Sequence, residues 1–239
     1  MQDKDVFERL YCKLLANRLL KQLSISIDYE KLMISYIQES CGYACASRMQ
    51  QMCRDIETSV TISDQYRQTE QFPIKINFNI MILKWNVWSF SKAPGVIPQN
   101  DLTCIINNFI QYYNRLYNGR TLIWLHQHSN GELLSCFKNV THTLQVSTYQ
   151  LIILLLFNNF SECSVKRIYD ETQIQIDLLS QVLRVLFKSG ILICTQSNEE
   201  ENFNLNSIVK LSDGFTRYGI IFFIRYCLYV CNCLALNFV

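Results

Sequence analysis

Eleven cysteines and three histidines are the residues of this chain whose types could bind metal or attack an electrophile, and their spacing decides between chemistry and packing. Cys41 and Cys45 stand one helical turn apart, with Cys53 two turns further on. A structural zinc site wants four ligands, usually in CxxC-type pairs, and Gly42 is expected to break the helix between the first two. Cys227, Cys231 and Cys233 form no CxxC pair either. Cys12, Cys53, Cys104, Cys136 and Cys194 stand on apolar stretches, where a free thiol behaves as a small buried hydrophobe. The thiols therefore read as packing or surface groups. His126 and His128 would share one face of a strand, with His142 near in sequence, but His128 falls at an expected turn. The three read as incidental surface histidines, able to titrate near neutral pH without a function. The chain has no GxSxG, no glycine-rich phosphate loop and no HExxH. No catalytic residue, metal or cofactor is expected.

Composition sets wider bounds. A chain of 239 residues with 49% hydrophobic and 13% aromatic content can bury real cores and is not disordered. A formal charge of +2 is too near neutral to imply a nucleic-acid or membrane partner by itself. The opening Met1-Gln2-Asp3-Lys4-Asp5 is charged and carries no secretory signal, so a reducing, intracellular setting is expected. Trp85, Trp88 and Trp124 are expected core or interface anchors.

Three amphipathic helices are expected over residues 4–70. Their stripes are Phe7, Leu10, Tyr11 and Leu14; then Met33, Tyr36, Ile37 and Cys41; then Ala46, Met49, Cys53 and Ile56. The period then changes to two, with Phe72, Ile74, Ile76, Phe78, Ile80 and Ile82 on one face of a half-buried strand. A helix over 102–116 closes at Gly119. Strands at Leu122–Leu125 and Glu132–Phe137 follow, with Asn130-Gly131 suited to a type I′ hairpin between them. From 144 the pattern is a short strand and three helices. Ser147 and Gln150 make a capping box, Tyr149–Phe157 is apolar all round, and Ser164 caps a short helix through Glu171. The third helix presents Ile176, Leu179, Val182, Leu183 and Leu186 and ends near Gly190. Strands at Ile191–Thr195 and Phe203–Asn206 flank an acidic loop, which completes a winged-helix pattern.

Gly119-Arg120-Thr121-Leu122-Ile123-Trp124-Leu125, Asn130-Gly131-Glu132-Leu133 and Leu144-Gln145-Val146-Ser147-Thr148-Tyr149-Gln150 resemble the cullin consensus GRKLTWL…KGEL…LQVSTFQ. Asp5-Val6-Phe7…Tyr11…Leu15-Ala16-Asn17-Arg18-Leu19-Leu20 is similar to the family's DVFxxxYxxxLAxRLL. Met33-Ile34-Ser35, Cys41-Gly42 and Ser47-Arg48-Met49-Gln50-Gln51-Met52 resemble its MIS…CG…SKLQxMF run. The resemblance covers roughly residues 1–215, and Trp124-Leu125-His126-Gln127 and Thr172-Gln173-Ile174 through Ile193 look most like the cullin of SCF ubiquitin ligases. It implies an α+β chain: part of a helical bundle over 1–71, a small α/β sheet domain over 72–143 and a winged-helix domain over 144–216. It implies a non-catalytic scaffold that binds a RING-box protein and, indirectly, a ubiquitin-conjugating enzyme. In cullins the partner's N-terminal strand completes an intermolecular sheet. The matching strands here are Ile74–Leu83, Thr121–Gln127 and Glu132–Lys138. The residues expected to carry that contact are Ile76, Phe78, Ile80, Ile82, Trp124, Leu133 and Phe137. The chain departs from the family at Trp88-Ser89, where cullins usually have WP. The adaptor-docking repeats and the second winged helix have no counterpart, and no lysine follows Lys210, so no neddylation lysine is assigned.

A winged helix also raises the alternative of a DNA-binding or chromatin protein. Outside its apolar face the third helix offers Gln175, Asp177, Ser180, Gln181, Arg184 and Lys188, and the wing adds Glu199-Glu200-Glu201. Phosphate binding needs clustered positive charge, so no nucleic acid is expected. The tail over 217–239 diverges. Gly219 through Leu234 is nearly long enough to span a bilayer, but Arg225 and Asn232 argue against a membrane. A strand or a misfitting terminal segment is expected there, contributing nothing to partner binding, so that its deletion would raise soluble yield.

Overall fold

Helices come first because their ends are written locally. The computed structural model describes residues 4–69, 77–88, 90, 96, 100–137, 140–195, 203–212 and 223–234. Helix α1 spans Lys4–Leu20, α2 Ile27–Cys41 and α3 Tyr43–Thr69. The Ser26 hydroxyl caps α2 by accepting from the Asp28 amide at 3.1 Å. Gly42, at φ +93°, ends the helix where a side chain would be strained, so α3 starts afresh at Tyr43.

Cys12, Leu15 and Leu19 of α1, Ile34 and Ile37 of α2, and Cys45, Ala46, Met49, Met52 and Cys53 of α3 form one core. The expected stripe of α3 is therefore buried, apart from the half-buried Ile56. Those of α1 and α2 are buried only in part: Ile37 is in the core, and Tyr11 and Cys41 pack against it, but Phe7, Leu10, Leu14, Met33 and Tyr36 are exposed. Helix α1 carries two parallel apolar stripes, and a polar contact selects between them. Arg18 grips Glu30 of α2 through Nε at 2.8 Å and a terminal nitrogen at 2.9 Å. That fork holds the buried Glu30 carboxyl below the usual carboxylate range and turns Cys12, Leu15 and Leu19 inward.

The rest of the chain runs β1 (Asn77–Lys84), α4 (Trp85–Trp88), α5 (Asn100–Leu116), β2 (Arg120–Trp124), β3 (Asn130–Phe137) and β4 (Val140–Ser147). There follow α6 (Thr148–Leu156), β5 (Glu162–Ser164), α7 (Val165–Thr172), α8 (Ile176–Lys188), β6 (Leu192–Cys194), β7 (Ile208–Leu211) and β8 (Phe223–Leu234). Two sheets result: one of five strands ordered β1-β8-β3-β4 with β2 also on β8, and one of three ordered β5-β7-β6.

Several expectations are corrected here. Ile80 and Ile82 enter one core while Met81 and Leu83 enter the other, so β1 is buried on both faces rather than half-buried. The apolar neighbours Met81 and Leu83 end the alternation; residues 72–76 lie outside the described residues. Asn130-Gly131 makes no hairpin turn. Both residues belong to β3, opposite Ser147 and Val146 of β4. The chain turns earlier, at 125–129, where Leu125 accepts from the His128 and Ser129 amides at 3.0 and 3.1 Å. Phe203–Asn206 is a loop, because Asn204 folds back to accept from the Asn206 amide at 3.0 Å, and the strand starts at Ile208. Of the two expectations for the tail, the strand is the one that forms: residues 223–234 are the central strand of the larger sheet. Among the described residues no helix is long and apolar enough to cross a membrane.

The local signals downstream hold. Ser147 and Gln150 close a reciprocal capping box on the buried α6, and Ser164 caps α7. Leu179, Val182, Leu183 and Leu186 of α8 are buried, while Ile176 is exposed. A single apolar cluster runs from Ile62 and Tyr66 of α3 through α5, β1, β3 and α6 to Leu211.

Three polar residues of α3 clamp β1 along its length. Ser63 accepts from the Ile80 amide (3.4 Å) and donates to its carbonyl (2.9 Å); Ser59 does the same at Ile82 (2.7 and 3.2 Å). Asp55 accepts from the Lys84 amide at 3.0 Å, from Trp88 Nε1 at 2.9 Å and from Gln51 at 2.8 Å. Asp55→Ala should cost about 3 kcal/mol in urea unfolding, because it leaves buried donors unpaired. Asp55→Asn, which keeps an acceptor, should lose clearly less.

Candidate functional site

A strand's main-chain groups alternate sides, so the clamp on Ile80, Ile82 and Lys84 leaves Asn79, Met81 and Leu83 to present theirs to the opposite edge. That edge is where the sheet can accept another strand, and in this structure β8 occupies it. Strand β8 runs parallel to β1 in register Asn77↔Arg225 through Lys84↔Asn232. On its other side it runs antiparallel to two strands in succession, β3 over Asn130↔Cys227 to Leu134↔Phe223 and β2 over Arg120↔Leu234 to Trp124↔Val230. Val230, Cys231 and Asn232 pair with both β1 and β2, so β1 and the β2–β3 row flank a position one strand wide.

The side chains expected to bind a partner lie along this position. Ile80 stands opposite Leu228, Ile82 and Trp124 opposite Val230, Leu133 opposite Ile224, and Phe78 opposite Tyr226. Phe137 pairs with Val140 on β4, at the far side of β3, and Ile76 lies outside the described residues. Ile80, Ile82 and Leu133 are buried in the core, and Trp124 sits edge-on to Phe109 at 6.3 Å. These side chains hold the strands in place, so what the site offers a binder is main chain. Sequence reading missed Asp55, Ser59 and Ser63, which set the direction of that main chain. Their signal was three small polar residues at four-residue spacing on an otherwise buried helix face.

The geometry contains little that could do covalent chemistry. Burial raises the Cys12, Cys45 and Cys163 thiols and pushes Cys53 up to about 11. At neutral pH they stay protonated, the unreactive form. Among the described residues no group of three His, Cys, Asp or Glu side chains could hold a metal ion. A cleft of about 760 Å³ between α1 and the side chains of Val87, Trp88, Phe90, His128 and Asn130 is also lined by Arg9, Lys13 and Arg48. It offers shape and positive charge.

His126 departs from expectation. It is buried in the turn between β2 and β3, its Nδ1 has no hydrogen-bond partner, and desolvation holds it below the ordinary histidine value of 6.5. His128 is exposed, with its ring 4.7 Å from that of Phe90, and His142 lies in β4 opposite Ser135. Because the folded-state value of His126 is lowered, the unfolded chain takes up the proton first. The stability it protects is complete above about pH 6.5 and is lost as pH falls toward the folded value, by at most about 1.4 kcal/mol per pH unit. His126→Gln should flatten the fall in urea-unfolding stability between pH 7 and pH 5; an unchanged slope would mean that His126 takes up its proton equally in the folded and unfolded states.

Comparison with known proteins follows the same division of the chain. Residues 82–215 match the family model described as the Cullin alpha+beta domain, and residues 1–63 match the Cullin alpha solenoid domain. The chain is 33% identical to Cullin-1 of Schizosaccharomyces pombe over 221 residues, 90% of this chain and 28% of that protein. It is 32% identical to Cullin-1 of Dictyostelium discoideum, over 90% of this chain and 29% of that protein. It is 37% identical to Cullin-3 of Dictyostelium discoideum, over 77% of this chain and 24% of that protein. The chain thus spans less than a third of the length of these relatives.

Proposed function

The chain belongs to the cullin family, and from that premise we propose that it is a scaffold piece of a ubiquitin ligase complex, of the SCF kind, with no catalysis of its own. It holds a RING-box protein and, through it, a ubiquitin-conjugating enzyme, in the cytoplasm and nucleus. Transfer of ubiquitin is then a matter of proximity, which a scaffold supplies by raising effective concentration. The observation that carries this reading is the strand-wide position between β1 and the β2–β3 row, whose flanks present main-chain groups in a fixed register. An extended partner segment gains affinity there from main-chain hydrogen bonds and selectivity from the side chains that alternate along it. Buried, protonated thiols fit a body that works by geometry.

Within this reading α6, α7 and α8 with β5, β6 and β7 are a winged helix that serves protein contacts. Helix α8 exposes Asp177, Gln181, Arg184 and Lys188, and Gln175 at its N-cap is exposed as well. One acid against two bases makes a weak field for phosphate, which disfavours the DNA-binding alternative.

The test is co-elution of the purified chain with a RING-box protein. A one-to-one complex that survives about 0.5 M salt is expected, since main-chain and apolar contacts are little screened. Asn79→Pro, which removes one donor aimed at the strand position, should weaken the complex by about tenfold while helical circular dichroism is retained. Absence of co-elution from both the full chain and a chain lacking residues 217–239, or salt-sensitive retention on duplex DNA, would overturn the reading.

A further inference from the structure

We propose that β8 is a built-in competitor: the chain fills its own partner-binding position, and a partner's strand enters only by displacing residues 223–234. The proposal rests on the strand-addition reading above and adds to it a regulation of that site. Three observations carry it. First, β8 lies at the centre of the sheet, with β1 on one side and the β2–β3 row on the other, so no second strand can share the position.

Second, two flanks are anchored without it. Strand β1 is clamped to α3 at Ile80, Ile82 and Lys84 and buried on both faces. Strand β3 is paired with β4 over Asn130↔Ser147 to Phe137↔Val140. Withdrawing β8 therefore leaves an open position with preformed walls. Third, β8 is held by the kinds of pairing that are easiest to lose. Its contact with β1 is parallel, which is slightly weaker per residue than antiparallel pairing. It also joins segments roughly 150 residues apart in sequence, so closing it carries a large entropic cost. The backbone register is nonetheless defined along the strand, with Arg225 opposite Glu132 on one side and Asn77 on the other. Displacement exchanges one set of main-chain hydrogen bonds for another. What decides the winner is the difference between the two strands, together with the high effective concentration of the tethered one.

The experiment uses amide hydrogen exchange and affinity on the full chain, on Tyr229→Pro, and on a chain lacking residues 217–239. A RING-box protein and a synthetic peptide of residues 221–236 are the two probes. In the free full chain the amides of 224–233 should be protected, and in the RING-box complex they should lose protection while those of Met81 and Leu83 keep it. Tyr229→Pro and the deletion should each tighten RING-box binding by about tenfold, and the peptide should compete with that binding to the deleted chain. Protection of 224–233 in the complex, or equal affinity of all three chains, would overturn the proposal while leaving the partner reading intact. If the RING-box protein binds none of them, the partner reading fails; peptide binding to the deleted chain, with protection returning at Met81 and Leu83, would still support self-occupation of the position. Failure of the peptide to bind would overturn it. Should the deleted chain prove insoluble, Tyr229→Pro carries the comparison.

Discussion

Strand β1 has to satisfy its hydrogen bonds on two edges and its apolar side chains on two faces, and the arrangement of the molecule follows from how it does both. A buried main-chain amide or carbonyl without a partner costs more than an ordinary hydrogen bond returns. On one edge the partners are not another strand but the side chains of Asp55, Ser59 and Ser63, spaced at one helical turn along α3. A helix used in this way ends a sheet. It covers the edge that would otherwise recruit other chains and directs the remaining donors and acceptors of β1 the other way.

The faces of β1 are equally committed. Met81 and Leu83 pack among α1, α2 and α3, while Ile80 and Ile82 join the core that continues through α5 and α6 to the small sheet. The strand is thus the wall shared by the helical part and the α+β part. The Trp88 indole, tied to Asp55, extends that wall past the end of the strand. Arg18 and Glu30 do a comparable job one layer out, where a single polar fork decides which of two apolar stripes of α1 faces inward.

On the proposed reading such a body holds a partner rather than reacting. Burial raises the thiols of Cys12, Cys45, Cys53 and Cys163, and desolvation holds the buried His126 below the ordinary histidine value. What it can offer is a set of main-chain groups at fixed spacing, and that is also what makes the position between β1 and the β2–β3 row usable by more than one strand. Any extended segment carries the same main-chain donors and acceptors, so identity is left to side-chain fit and tethering.

Where the controlling interactions lie within a few residues of each other, the sequence determined the outcome. The capping box of Ser147 and Gln150, the cap at Ser164, the break at Gly42, the all-apolar α6 and the apolar faces of α5 and α8 were legible because each depends on a turn or two of chain. The motifs that mark the family were legible for the same reason. Tertiary structure alone decided the rest. Phe7, Leu10 and Leu14 have the same spacing as the buried stripe of α1, and only the partner of Arg18 tells the two apart. Asn130-Gly131 has the composition of a tight turn, yet it lies within β3 because β4 and β8 supply its pairing. The apolar run at 223–234 suits a membrane, an aggregate or a strand inside a sheet. It became a strand paired on both edges because β1, β2 and β3, distant in sequence, leave a strand-wide position between them, and pairing across such distances is written in no local pattern.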